Sequence, residues 1–472
     1  MKATLIGVAA VAATLLTPLT PIAHAAPTSI DDYLADVMHD TGLPGVSVVV
    51  TQGDRLVHAA GYGEDSEGAP ITADTPMRIA SVSKSFTAMA VMTLVEDGRI
   101  ALDEPVADQL PGFTMADPRF TDVTVRHLLN QTSGFSDTTI DVTALDTSTS
   151  LTDYTAKLSS GSLTTDPGTR YEYCNVNYDL AARLVEVASG RTFGDYLNEE
   201  VFGPLGMSRS TVSADEIRPA DGFNSVFGAW WSRPELPGFL SGGGGVITTA
   251  ADMGKWLISQ AGHGTQLVSP DSLRTMHTSS TVDDYAMGWI PDQGPDGVDQ
   301  LVHPGNLFTY SAVQAVVPST GHGFAVLANS ASLHDDTYDI LNGLIALSQG
   351  RDPAPAGGGR QSFELVLGLI ALAAIGLGVL GAWRSARWAR RRAGSPAWLV
   401  ALRFVPLLLP IGLVAAYPDL TSILINGRTV TWAQLTYFPL PLTITVFVVA
   451  LACTATATAR LLGLLRNRTT VH

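Results

Sequence analysis

Ser81-Val82-Ser83-Lys84 sets a hydroxyl and an amine three residues apart, a spacing that puts both on one face of a helix. A serine hydroxyl is a weak nucleophile until a base removes its proton. A lysine amine serves as that base where burial disfavours the ammonium. With Ser81 in the first turn, the free N–H groups and the dipole of the helix also favour an oxyanion beside it. The chemistry open to such a pair is acyl transfer through a serine ester. The same four residues equally describe an ordinary helix start, with serines capping and Lys84 in solvent. Two features favour the chemical reading. Of the lysines Lys2, Lys84, Lys157 and Lys255, only Lys84 follows a serine at this spacing. It also lies among Phe86, Ala88, Met89, Val91, Met92 and Leu94, where a charge needs a reason.

The elements that must position this pair follow from local patterns. Ser81 opens a helix predicted to run to Val95 and to close at Gly98; it is apolar nearly all round and so belongs in the centre of the domain. Ser29 is a candidate N-cap for a helix over 30–41. A β-rich stretch over 45–50, the turn Gln52-Gly53-Asp54 and a second strand over 55–60 read as a hairpin. Residues 120–220 read as helices and loops, and late strands fall at 314–317 and 324–328. Early strands, a helical middle and late strands predict an α/β (α+β) domain: a largely antiparallel sheet flanked by helices, closed by both chain ends, with a helical subdomain.

Further segments extend the pattern in order. Met77-Arg78-Ile79-Ala80 precedes Ser81-Val82-Ser83-Lys84; then come His127-Leu128-Leu129-Asn130-Gln131-Thr132-Ser133-Gly134, Pro167-Gly168, Tyr173-Cys174-Asn175 and Phe202-Gly203-Pro204-Leu205-Gly206-Met207. Gly243 to Asp252, Tyr285 to Trp289 and His303-Pro304-Gly305 follow. Over about residues 30–329 this succession resembles the serine β-lactamase and penicillin-binding protein family, in its class C-type branch. The resemblance implies the β-lactamase/transpeptidase-like fold and a site in which Ser81 is the nucleophile. Lys84 and Tyr173 would share its proton, and Asn175 would orient the lysine and the substrate amide. His303 and Gly305 would line the opposite wall, with Gly305 letting a substrate backbone approach. The main-chain N–H of Asn306 would be the second oxyanion donor beside that of Ser81. Taken without the resemblance, Tyr173 reads as a core aromatic, Asn175 as a turn residue and His303-Pro304-Gly305 as a loop.

Three positions depart from the family pattern. His303 stands where many members carry a Lys-Thr-Gly, a form more typical of related carboxypeptidases, esterases and peptidases. Cys174 replaces a small serine and reads as a filler of similar size, its sulfur turned away from Ser81. Gln131 replaces a histidine at a position that looks structural. The implied activity is hydrolysis of a peptide, ester or amide, with D-Ala-D-Ala-type peptides, short esters and β-lactams as candidate substrates and peptidase or esterase action favoured over β-lactamase action. It needs no metal and no organic cofactor. The alternative is a non-turnover module that binds penicillin or a cell-wall fragment as a sensor. Specificity would reside in the loops 137–161 and 224–238, where Trp230 and Trp231 either wall a pocket or simply pack.

Composition places the domain. Residues 1–360 carry 42 acidic and 18 basic groups, and residues 361–472 carry 2 and 10. An acidic body argues against nucleic acid as a partner. Lys2, the apolar run from Leu5 to Leu16 and Ala23-His24-Ala25 read as a signal peptide over 1–25. Three apolar stretches, 365–383, 398–416 and 435–453, are each long enough for a membrane-spanning helix, the second weakened by Arg403 and Pro406. Arg384, Arg387, Arg390, Arg391 and Arg392 assign the first connection to the cytoplasm and the domain to the outer face of the cell membrane. The expected organisation is a hydrolase domain over 26–350, a Pro/Gly linker over 351–362 and a membrane domain over 363–472 in contact with the lipid bilayer. Cys174 and Cys453 are too differently placed to pair.

Overall fold

Gly45–Gln52 (β1) is a run of β-branched residues buried on both faces, which fits a central strand. The computed structural model, which describes residues 29–294, 297–425 and 428–469, places it there. Gly53, with φ +58°, turns the chain into Arg55–Gly63 (β2). The preceding helix Ile30–Thr41 (α1) is capped by the Ser29 hydroxyl, which accepts from the Asp32 N–H at 3.1 Å, and it closes on left-handed Gly42. Four late strands complete the sheet: Ile290–Gln293 (β3), Asp299–Asn306 (β4), Ser311–Val317 (β5) and His322–Ala328 (β6). The order is β2-β1-β6-β5-β4-β3, antiparallel throughout, so both chain ends of the domain meet at β1–β6.

Each face of this sheet is covered. Ser83–Glu96 (α2), Val176–Ser189 (α3) and Ala250–Gln260 (α4) belong to one core, and Asp336–Ser348 (α5) joins α1 in the other. Val46, Val48 and Val50 alternate toward Tyr33, Leu34 and Ile340, while Val49 faces the α2 and α4 side. On that side the Phe86 ring stacks on Trp256 with centroids 4.0 Å apart. Trp256 donates to Gln314 at 3.1 Å, and Gln314 donates to the Ser85 hydroxyl at 2.9 Å, so α4, β5 and α2 are tied by buried polar groups. The middle of the chain is helical, as its pattern predicts. Strands β3 and β4 are not legible in the pattern, because Pro304 and Gly305 interrupt the alternation of β4.

The C-terminal region begins inside the expected linker. Gly359–Arg390 (α6) starts at Gly359, and its first turns are sunk into the domain. Arg360, only 3% exposed, donates to the Thr41 carbonyl at 2.6 Å and to the Ser225 hydroxyl at 2.9 Å, and lies 3.8 Å from Asp336 and 3.7 Å from Glu364. Glu364 accepts from the Ser225 hydroxyl and the Gly228 N–H. His334, Asp336 and Asp339 converge here with their ligand atoms within 4.8 Å, and the Arg360 guanidinium balances their charge.

Among the described residues, two helices, α6 and Leu440–Asn467, are long and apolar enough to cross a membrane. The expected second stretch, 398–416, is not one helix. It divides into Ala397–Leu402 and Val405–Ala415 (α7), and Tyr417–Leu424 (α8) follows beyond it, bent from α7 by 69°. Pro406 and Pro418 explain the breaks: each lacks an N–H and its ring clashes with the carbonyl four residues back. Counted as one bent span, α7 and α8 make a third crossing candidate. The last helix, Leu440–Thr469 (α9), packs parallel to α6. Leu367 meets Thr445, Gly378 meets Ala452, and Gly463 meets Ala389, small residues allowing close approach. The segment read as a signal peptide lies outside the described residues.

The stacked, fully buried Phe86 sits on the helix that carries Lys84. Phe86→Ala is expected to destabilise the domain by about 3–5 kcal/mol, read as a fall in the thermal midpoint of the detergent-solubilised full chain; an unchanged midpoint contradicts its place in the core.

Candidate active site

Ser81 does not lie in the first α-helical turn. It sits in the 3-10 turn Ala80–Val82 that leads into α2, because Ala80 takes a left-handed conformation with φ +50°. For an alanine this costs about 1 kcal/mol or more, so the surroundings must hold it. They do so on the β4 side. A Cβ on Gly305 would lie 2.2 Å from the Ile79 carbonyl oxygen and 3.1 Å from the Ser81 nitrogen. Glycine at 305 is therefore required by the protein's own packing against the Ser81 turn, a nearer constraint than the substrate approach expected from the sequence.

Lys84 is 0% exposed, and its Nζ donates to three oxygens: Ser81 Oγ at 3.0 Å, Asn175 Oδ1 at 2.9 Å and the Gly243 carbonyl at 2.6 Å. The arrangement satisfies both protonation states. As an ammonium, Lys84 fills all three acceptors. As an amine, it keeps Asn175 and Gly243 and turns a lone pair to the Ser81 hydroxyl. A proton can therefore pass between Ser81 and Lys84 without breaking either of the other bonds.

The flanks of the lysine come from distant segments. Its Nζ lies 4.8 Å from the ring centroid of half-buried Tyr173. No hydrogen bond joins the Tyr173 hydroxyl to Ser81 or Lys84 among the described residues, so the structure brings the phenol ring beside the amine and leaves its oxygen uncommitted to either. Gln131, itself left-handed at φ +58°, accepts from the Cys174 N–H at 3.0 Å through its side chain and from the Glu172 N–H at 2.9 Å through its carbonyl. It fixes the backbone on both sides of Tyr173. The Cys174 thiol is buried and donates to Asp137 at 3.4 Å; burial raises its pKa well above the usual value, which keeps it inert.

Asp179, one turn beyond Asn175, accepts from the Gly243 N–H at 3.0 Å while the Gly243 carbonyl faces Lys84. Burial pushes its carboxyl up to about 6, against the lowering pull of that N–H and of Lys84. The sequence offers only weak signals for these two: Gly243 acts through its carbonyl, and Asp179 is one of many acids.

The wall opposite is β4. His303 is buried, and its Nδ1 lies 2.7 Å from the Pro304 carbonyl, which can only accept; Nδ1 therefore carries the hydrogen. Nε2 then accepts from the Tyr285 hydroxyl at 3.0 Å. Burial first, and Lys84 second, depress the His303 pKa to about 3, so the ring is neutral at ordinary pH. Leu307 donates to the Tyr310 carbonyl, which fixes the hydrogen-bonded pairs of β4 and β5 at odd positions of β4. Pro304 and the Asn306 N–H thus point away from β5, to the edge that β3 leaves open beyond Val302. That explains a proline in this strand and leaves the Asn306 N–H turned away from β5.

Of the expected specificity loops, 224–238 includes a hairpin strand, and Trp230 donates to the Gly42 carbonyl at 2.6 Å beneath the Arg360 guanidinium. Trp230 packs and does not wall the cleft. Glu235, which carried no signal, accepts from the Phe308 and Thr309 N–H groups and pins the β4–β5 turn.

A family model described as Beta-lactamase matches residues 30–348. The chain is 30% identical over 341 residues to penicillin-binding protein 4 of Amycolatopsis lactamdurans, covering 64% of this chain and 86% of that protein. It is 26% identical over 324 residues to protein flp of Staphylococcus aureus (strain MW2), covering 64% of this chain; it spans only 62% of the length of flp. Among solved structures, the octameric penicillin-binding protein homologue from Pyrococcus abyssi superposes with a TM-score of 0.60 at 26% identity, over 69% of this chain and 77% of that one.

Gly305→Ala is expected to displace the Ser81 turn and lower the rate of covalent labelling by a fluorophosphonate at least about 100-fold; an unchanged rate refutes the packing constraint. A second expectation concerns acid. As pH falls below about 6.5 the unfolded state protonates the histidine, but the native state does not until about 3. Stability attributable to His303 is thus present above 6.5 and declines toward pH 3 by up to about 1.4 kcal/mol per pH unit. His303→Gln should flatten the acid limb of a plot of melting temperature against pH, and an unaltered slope contradicts a buried neutral ring.

Proposed function

The chain belongs to the β-lactamase family, and from that membership and the site geometry we propose that it is a membrane-anchored serine hydrolase acting through a Ser81 acyl-enzyme. The observation that carries this reading is the buried Lys84 amine 3.0 Å from Ser81 Oγ, with its other two acceptors supplied by Asn175 and Gly243.

The substrate carbonyl enters between the Ser81 turn and β4. Ser81 Oγ attacks its carbon as the hydroxyl proton moves to the Lys84 amine. The negative charge that develops on the carbonyl oxygen rests on the N–H groups of Ser81 and Asn306. The proton passes from Lys84 by way of the Tyr173 hydroxyl to the leaving group, whose bond to the carbonyl carbon breaks. Water, deprotonated by the same pair, then attacks the ester and frees Ser81. Asn175 holds the lysine and the substrate amide. The neutral His303 in place of a lysine favours peptides of the D-Ala-D-Ala type and short esters over β-lactam turnover; a β-lactam acylates Ser81 and leaves slowly.

Several features support a membrane position with the domain on the outer face. Leu365, Leu369, Leu372 and Leu377 are exposed along α6, apolar surface that lipid would cover. Helices α6 and α9 both leave the domain and run parallel, so the chain between them returns toward the domain. Trp388 meets Phe404 at the far end, and Tyr417 meets Trp432 at the near end, contacts that support a return through the bent pair α7 and α8 as the third crossing. Arg387, Arg390 and Arg466 gather at the ends remote from the domain, the cytoplasmic side by charge.

Ser81→Ala should abolish both ester turnover and covalent labelling by penicillin and by a fluorophosphonate. Persistent labelling of the variant overturns Ser81 as the nucleophile.

A further inference from the structure

The segment between α8 and α9 lies against the catalytic cleft. Arg428 places its guanidinium carbon 5.6 Å from the ring centroid of Tyr173, the same ring that Lys84 faces at 4.8 Å. Its Nε pairs with Asp137 Oδ2 at 3.5 Å, and the Asp137 side chain is only 10% exposed. The neighbouring Thr429 hydroxyl donates to the Asp137 carbonyl at 3.2 Å. Farther along, the Arg233 guanidinium lies 3.7 Å from the Tyr437 ring centroid, and Tyr437 meets Phe308 edge-on at the β4–β5 turn. The membrane region thus closes over one side of the cleft and is anchored at both ends of that contact.

Arg428 has more capacity than its docking uses. A guanidinium carries five donors, and Asp137 engages the Nε edge. The side chain is 41% exposed and makes no side-chain hydrogen bond to any described residue. The cleft needs a cation here if its substrate is anionic. Lys84 is committed to three oxygens, and the β4 wall offers none because His303 is neutral. Arg428 therefore presents its amino groups beside Tyr173, the residue that delivers the proton to the leaving group in the proposed mechanism.

We infer that Arg428, contributed by the membrane region and not by the hydrolase fold, binds a carboxylate on the leaving group of the substrate. This inference rests on the proposed Ser81 hydrolysis and narrows it to substrates that release a group with a free carboxylate, as a carboxypeptidase does. Asp137 holds the guanidinium by one edge, and the carboxylate of the departing residue takes the other in a paired, charge-assisted bond.

The test uses the detergent-solubilised full chain and two peptides, acetyl-Lys(acetyl)-D-Ala-D-Ala with a free C-terminus and the same peptide as its C-terminal carboxamide, with nitrophenyl acetate as a third substrate. The wild type should prefer the free acid. In Arg428→Gln the ratio of kcat/KM for acid over carboxamide should fall about 10- to 100-fold, chiefly through KM, and Arg428→Lys should restore part of it. Because both peptides are measured on one preparation, partial misfolding cancels in the ratio. A ratio unchanged in Arg428→Gln overturns the inference, whether or not overall activity falls. A wild type that cleaves neither peptide overturns it as well, and its turnover of nitrophenyl acetate then shows whether the Ser81 reading stands without it.

Discussion

A single buried amine governs the architecture around the cleft. Lys84 sits in a dry core, where an unpaired charge would be prohibitively costly. Its three oxygens come from three parts of the chain: the Ser81 turn, the start of α3 and the glycine run before α4. Each of those segments is fixed by something further out. Asp179 grips Gly243, Gln131 fixes the backbone around Tyr173, and Gly305 lets β4 press on the turn at Ala80. The strain at Ala80 and the hydrogen bonding of Lys84 are two ends of one constraint. The turn that presents Ser81 persists because the lysine beneath it must be satisfied.

The parts of this arrangement that were legible in the sequence are the local ones. Ser81 and Lys84 declare themselves by a three-residue spacing on an apolar helix, and α1 and the β1–β2 hairpin by a cap and a turn. Tyr173, Asn175 and His303 became candidates only through resemblance to a family, since no local pattern shows that segments some ninety and two hundred residues away reach the same amine. Strand β4 was hidden by Pro304 and Gly305, residues that break strand patterns yet are suited to a strand edge opposite a tight turn. Gly243 and Asn306 were harder still, because they act through the main chain. The break of the middle apolar stretch could be suspected at Pro406, whereas the bend before Pro418 emerged only with the helices in place.

The C-terminal region is bound to the domain at two places. Arg360 and Glu364 enter the body at the head of α6, and Arg428 to Tyr437 lie along the cleft rim ahead of α9. In sequence the first of these is a Pro/Gly linker leading to a helix, and the second is a short connection with one basic residue. Neither suggests contact with the domain, because the partners, Thr41, Ser225, Asp137 and Phe308, are far away along the chain.

The ion pair at the head of α6 removes the swivel that a run of prolines and glycines would otherwise provide. Helix and domain then rotate as one rigid lever. A spanning helix meets a thinner or thicker bilayer by changing its inclination, and here any such change carries the whole catalytic body with it. Under the proposed membrane anchoring, the direction in which the cleft opens is thereby geared to the thickness of the bilayer.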